Sequence, residues 1–131
     1  MKTFLIDAVK TLISSDADYT YETRDLNKEL ADYLATRSEH IIVATNAFGD
    51  KYKRIRELLS SYNFDTFTLE NRPSKTDPEY FAHLLEYYGR DPEQCFYIDH
   101  KSENLEAAAQ VGIEGILFVD NKEAIEALKA L

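Results

Sequence analysis

The chain has 131 residues, 24 acidic against 15 basic, a formal net charge of −9, 44% hydrophobic residues and one cysteine. That length and apolar content suit a single domain over residues 1–131. The negative balance argues against partners that present nucleic-acid phosphates or anionic lipid, a lone cysteine excludes an internal disulfide, and no long apolar span or leader-like segment appears. The expectation is a cytoplasmic protein without membrane or nucleic-acid partners.

Hydrophobic periodicity alternates strands with helices along the chain. Thr3 to Asp7 reads as a buried strand, and the Tyr-bearing stretch from Ser14 to Asp25 reads as an ordinary loop, with a small flap as the alternative. A helix is expected from about Leu26 to Thr36, a strand from Ile41 to Thr45, a helix from about Lys51 to Ser61 and a strand from Asp65 to Leu69. Lys51, Lys53, Arg54 and Arg56 form the densest basic stretch, but at helical spacing they spread around the helix and read as a solvated surface. Asp77 and Pro78 mark a helix start, and Gly89 its end after Tyr88. Gln94 to Asp99 is the fourth strand, with Cys95 as a small buried hydrophobe. Ser102 is expected to cap a helix ending at Gly112, before a short strand from Gly115 to Val119 and a final helix from Glu123 to Leu131. Such alternation implies right-handed parallel βαβ units, an α/β doubly wound, Rossmann-like sheet of five strands with helices on both faces.

Three apolar runs end on polar residues, Asp7, Thr45 and Asp99, and a lysine, Lys75, stands just before the Asp77–Pro78 helix start. In a doubly wound sheet those strand ends share the carboxyl edge, where such folds place their chemistry. A strand-end Asp, a β-branched strand Thr or a loop Lys would each be unremarkable alone; the order of all four is what carries weight. The order resembles the haloacid dehalogenase-like (HAD) superfamily, from Phe4 to about Val119. Asp7-Ala8-Val9-Lys10-Thr11 matches its first motif, Thr45 its second, Lys75 its third, and Asp99-His100 with Asn104-Leu105-Glu106-Ala107-Ala108 its fourth.

The resemblance implies strand order 5-4-1-2-3 and phosphate-ester hydrolysis through an aspartyl intermediate on Asp7. Lys75 would offset charge on the nucleophile and phosphate, and Thr45, Asn46 and Lys75 would hold phosphoryl oxygens. A Mg²⁺ ion would sit on Asp7, the Val9 backbone carbonyl, Asp99 and the residue at 100, while Thr11 and Asn104 would be supporting residues. Family members often carry a cap domain after the first motif or before the lysine. Here those slots hold only about Ile13 to Arg24 and Glu70 to Ser74, so no cap domain is expected. An open site suits a large phosphorylated substrate, or a macromolecular partner acting as lid.

Two departures from the pattern bear on activity. The family's acid/base Asp is replaced by Val9, which can neither hold nor move a proton. His100 replaces the metal-binding carboxylate of the fourth motif, so Mg²⁺, a hard ion preferring oxygen, remains possible but weakened. A softer metal's ligand and a replacement acid/base are alternative roles for His100, although a hydrogen-bonded pair with Asp99 is the plainer reading. Lys10 stands where the family has Gly, which implies a changed loop. Two functions follow: a weak or specialised phosphohydrolase, or a catalytically inactive binding or interaction module. Metal-independent dehalogenases also follow their nucleophile with Ala and a bulky residue, but they need a closed apolar pocket. A receiver domain is rejected because its acid pair follows the first strand and its Lys the last.

Overall fold

The structure is a computed structural model and describes residues 2–14 and 25–131; most of the Tyr-bearing stretch lies outside the described residues. In chain order the elements are β1 (Thr3–Asp7), β2 (Ile13–Ser14), β3 (Asp25–Leu26), α1 (Lys28–Ala35), β4 (His40–Thr45), α2 (Gly49–Leu58) and β5 (Asp65–Thr68), followed by α3 (Pro78–Tyr88), β6 (Cys95–Asp99), α4 (Ser102–Gln110), β7 (Glu114–Leu117) and α5 (Asn121–Lys129). Five parallel strands form one sheet in the order β5-β4-β1-β6-β7. Read from the β7 edge, this is the expected 5-4-1-2-3. Among the described residues no second unit covers the carboxyl edge, and no helix is long and apolar enough to cross a membrane.

Side chains in a strand alternate between faces, and that alternation divides the core in two. Phe4, Ile6, Ile41, Val43 and Ile98 pack with Leu30, Leu34, Ile55 and Leu128 from α1, α2 and α5. Leu5, Ile42, Ala44 and Tyr97 pack on the other face with Tyr80, Phe81, Leu84 and Ala108 from α3 and α4. Cys95 is buried on that second face, and burial pushes its thiol up to about 11, as a small hydrophobe requires. By the same period of two, Asp7 follows Leu5 and Asp99 follows Tyr97 toward the α3/α4 face. Because Ile6 is in register with Ile98, the two acids end adjacent strands side by side.

Several boundaries differ from expectation for local reasons. The first helix begins at Lys28 because Asn27 caps it and Leu26 pairs with Ile13 in a two-residue antiparallel ribbon, too short for any periodic signal. Ser102 is already helical; position 101 is the cap, and Lys101 makes no side-chain cap bond. The last helix starts early because Asp120 accepts from the Glu123 N–H at 2.8 Å. Asp77 and Gly89 do act as cap and left-handed terminator of α3.

After β1 the chain folds back through Lys10, whose N–H donates to Ile13 O at 2.8 Å and whose φ is 71°. That left-handed conformation is the one a glycine adopts without steric penalty, and here a lysine holds it. Replacing Lys10 by Gly should therefore raise stability, by about 0.5–1 kcal/mol after the entropy a glycine loses on folding. Urea denaturation of Lys10→Gly and Lys10→Ala tests this: only the glycine should gain, and equal midpoints would contradict it.

Candidate active site

Two carboxylates side by side at one sheet edge need a counter-charge, and Lys75 supplies it. The segment before α3 delivers its ammonium to Asp7 Oδ1 at 2.5 Å, the Ala44 carbonyl at 3.2 Å and Asp99 Oδ2 at 3.3 Å. These three acceptors use all three N–H groups of a residue that is only 3% exposed. The Lys75 backbone is pinned as well, its N–H donating to Asn46 Oδ1 at 2.9 Å. The end of β4 and the residue that follows it thus hold both ends of the lysine.

The remaining oxygens are also engaged. Asp7 Oδ2 accepts from Thr11 Oγ1 at 2.9 Å and lies 2.8 Å from His100 Nδ1. Asp99 Oδ1 accepts from the Lys101 N–H at 2.9 Å and is 3.3 Å from the same ring nitrogen. Asp99 Oδ2 accepts from Asn104 Nδ2 at 2.9 Å and from the Tyr97 hydroxyl. Asp7, Lys75, Asp99, His100, Thr11 and Asn104, far apart in sequence, therefore form one network. Burial alone would push the Asp7 carboxyl up, but Lys75 and then His100 overcome it and hold the group below its ordinary value. Asp7 is an anion at neutral pH.

Thr45, Asn46 and Val9 line an open cleft of about 380 Å³ over this network, together with Phe48, Lys51 and Lys101. The Thr45 hydroxyl accepts from the Ala47 N–H at 3.1 Å, which fixes the loop leading into α2. Phe48, at the N-terminal end of α2, is 54% exposed. Lys53, Arg54 and Arg56 lie along α2, outside the cleft residues, as a solvated helix surface does.

Two participating residues escaped sequence reasoning. Tyr97 was hidden in the apolar run CFYID, although its place two residues before Asp99 puts both on one face. Tyr80, on α3, donates its hydroxyl within 3.0 Å of both the Thr45 and Phe67 carbonyls, tying α3 to the ends of β4 and β5. Burial pushes both phenols well above their ordinary range, so they act as neutral donors.

No family model matches the chain. A chloroplast flavin mononucleotide hydrolase of Arabidopsis thaliana is 26% identical over 118 residues, 88% of this chain and 46% of that protein, so the chain spans about half the length of the curated relative it matches. Among solved structures, an uncharacterized protein of Corynebacterium glutamicum superposes with TM-score 0.79 at 16% identity, covering 99% of this chain and 93% of that one. A HAD family enzyme of Bacteroides thetaiotaomicron, in complex with magnesium and inorganic phosphate, gives TM-score 0.72 at 16% identity, covering 89% and 93%. This chain has the HAD-like fold. A HAD-superfamily hydrolase of subfamily IA from Geobacter sulfurreducens extends the set, at TM-score 0.71 and 13% identity over 89% of this chain and 86% of that one.

Asp7, Asp99 and His100 each offer one ligand atom, all within 4.8 Å of one another. The donor set nevertheless fits Mg²⁺ poorly. Its third member is nitrogen where this hard ion prefers oxygen, and each of the four carboxylate oxygens already has an N–H or O–H partner.

Removing the ammonium exposes the cost of the buried carboxylates. Lys75→Met should destabilise the fold by about 3–5 kcal/mol at pH 7, the usual penalty for stripping one partner from a buried pair. In the wild type the Asp7 carboxyl is held below 3.8, so its contribution is present above that value and lost as pH falls through the lowered folded value. Without Lys75, burial raises the folded value, and the variant takes up a proton before the unfolded chain does. The penalty should therefore shrink on acidification. Urea unfolding of both proteins at neutral and mildly acidic pH checks the sign, and a pH-independent penalty would contradict it.

Proposed function

We propose that this chain, as a single uncapped domain, is a phosphohydrolase of weak or specialised activity, with Asp7 as nucleophile. The observation carrying this reading is the ionised Asp7, held by the Lys75 ammonium at the floor of an open cleft on the carboxyl edge. An Asp7 oxygen attacks phosphorus, the bond from phosphorus to the leaving oxygen breaks, and that oxygen departs with the electron pair. Water then cleaves the aspartyl phosphate. Thr45, Asn46 and backbone N–H groups leading into α2 hold the phosphoryl oxygens, and Lys75 offsets their charge.

Val9 sets the limit on this chemistry. A positioned acid/base is worth about 10²–10⁴-fold, and nothing at position 9 can protonate a poor leaving group or activate the second-step water. A catalytically inactive binding module is the alternative, favoured by Val9 and His100 together. Magnesium, present in the B. thetaiotaomicron structure, would be bound weakly by this donor set. The substrate is a phosphate ester entering an open cleft, and a macromolecular partner over the site would serve as lid. The name of the Arabidopsis relative and the exposed ring of Phe48, a face on which a planar group can stack, make flavin mononucleotide a ligand worth testing.

Aryl and acyl phosphates, whose leaving groups need little protonation, should turn over about 100-fold or more faster than sugar phosphates or flavin mononucleotide. Asp7→Asn should abolish all of it, and Val9→Asp should raise turnover of the poor leaving groups most. Steady-state rates across the leaving-group series test this. Equal rates for aryl and sugar phosphates would reveal an acid elsewhere, and activity surviving Asp7→Asn would remove Asp7 from the chemistry.

A further inference from the structure

His100 occupies a particular place between the two acids. Lys75 takes Asp7 Oδ1 and Asp99 Oδ2. The other oxygen of each, Asp7 Oδ2 and Asp99 Oδ1, faces one atom, His100 Nδ1, at 2.8 and 3.3 Å. A carboxylate oxygen only accepts, and the nearby Thr11 hydroxyl, 3.4 Å from the ring, spends its hydrogen on Asp7 Oδ2. Nδ1 must therefore carry the hydrogen in this arrangement. A nitrogen that points its N–H at the carboxylates has no lone pair to give an ion between them. The ring is the least buried member of the group, its side chain 23% exposed against 6% for Asp7 and 0% for Asp99, and it lines the cleft.

We propose, building on the phosphate-site reading, that the His100 Nδ1–H bridge takes the place of a divalent ion: it joins Asp7 to Asp99, orients the nucleophile, and lets the site bind phosphate without metal. His100 is a positioning residue here, acting through Asp7. Two cationic or N–H-bearing side chains then clamp the acid pair, Lys75 on one pair of oxygens and His100 on the other. Changing His100 to Asp removes the bridge and supplies the missing oxygen ligand, so the same scaffold should turn metal-dependent.

The test uses the full chain, stripped with EDTA, with two readouts. The first is the ¹⁵N spectrum of the His100 ring before and after excess Mg²⁺ or Zn²⁺. Nδ1 should stay of the protonated type in both, whereas a shift to the metal-bound type would overturn the proposal whether or not phosphate binds. The second is calorimetric titration of inorganic phosphate with and without Mg²⁺. Wild-type affinity should not change with the ion, and His100→Asp should gain about tenfold or more in phosphate affinity when Mg²⁺ is added. A metal requirement in the wild type, or a folded His100→Asp protein blind to Mg²⁺, would overturn it. Phosphate binding under no condition, with the ring spectrum unchanged by metal, would sink the phosphate-site reading while leaving the bridge in place of the ion.

Discussion

The Lys75 ammonium, fully satisfied by Asp7, Asp99 and the Ala44 carbonyl, is the contact on which the rest of the site depends. Adjacent parallel strands in register force the two carboxylates together on one face, and like charges at such spacing repel strongly when water is excluded. A buried cation between them removes the conflict, but only if it is held rigidly. Asn46 pins the lysine's backbone and Tyr80 ties α3 to the strand ends, which together fix where the segment carrying Lys75 arrives. The charge pair and the helix packing are thus parts of one constraint.

Around that contact the remaining donors are distributed so that no carboxylate oxygen is left without a partner. Tyr97 and Asn104 serve Asp99, while Thr11 and His100 serve Asp7. A carboxylate held this way is preorganised and kept ionised, which is what the proposed attack on phosphorus needs. What such a site lacks is a group for the proton. On the proposed chemistry, attack by Asp7 is preserved and the proton transfers on either side of it are impaired, a division that follows from a single aliphatic side chain at Val9.

That Asp7, Thr45 and Asp99 share one sheet edge was legible because buried parallel strands are continuous apolar runs that end abruptly on polar residues, whereas the sheet order and the place of Lys75 came from the resemblance to the HAD superfamily. The β2–β3 ribbon was not, since two-residue strands have no period to read, and it displaced the expected start of α1. Tyr97 drew no notice because a strand tyrosine among apolar neighbours looks the same whether its hydroxyl is used or not. His100 was visible as an oddity beside Asp99, yet its shorter contact is to Asp7, 93 residues away, and spacing along the chain carries no information about that distance. Lys10 shows a similar limit: its residue type says nothing of the left-handed backbone that the turn adopts.

The most direct measurement is to expose the EDTA-treated protein to acetyl phosphate and map any phosphoryl group by mass spectrometry after rapid acid quench. Acetate is a good leaving group, so attack by Asp7 needs no acid, and a site without a base at position 9 should release the intermediate slowly. The expected result is a phosphoaspartate at Asp7 that accumulates in the wild type, is absent in Asp7→Asn, and turns over faster in Val9→Asp. A protein left unmodified by acetyl phosphate, or modified at a residue other than Asp7, would contradict Asp7 as the nucleophile.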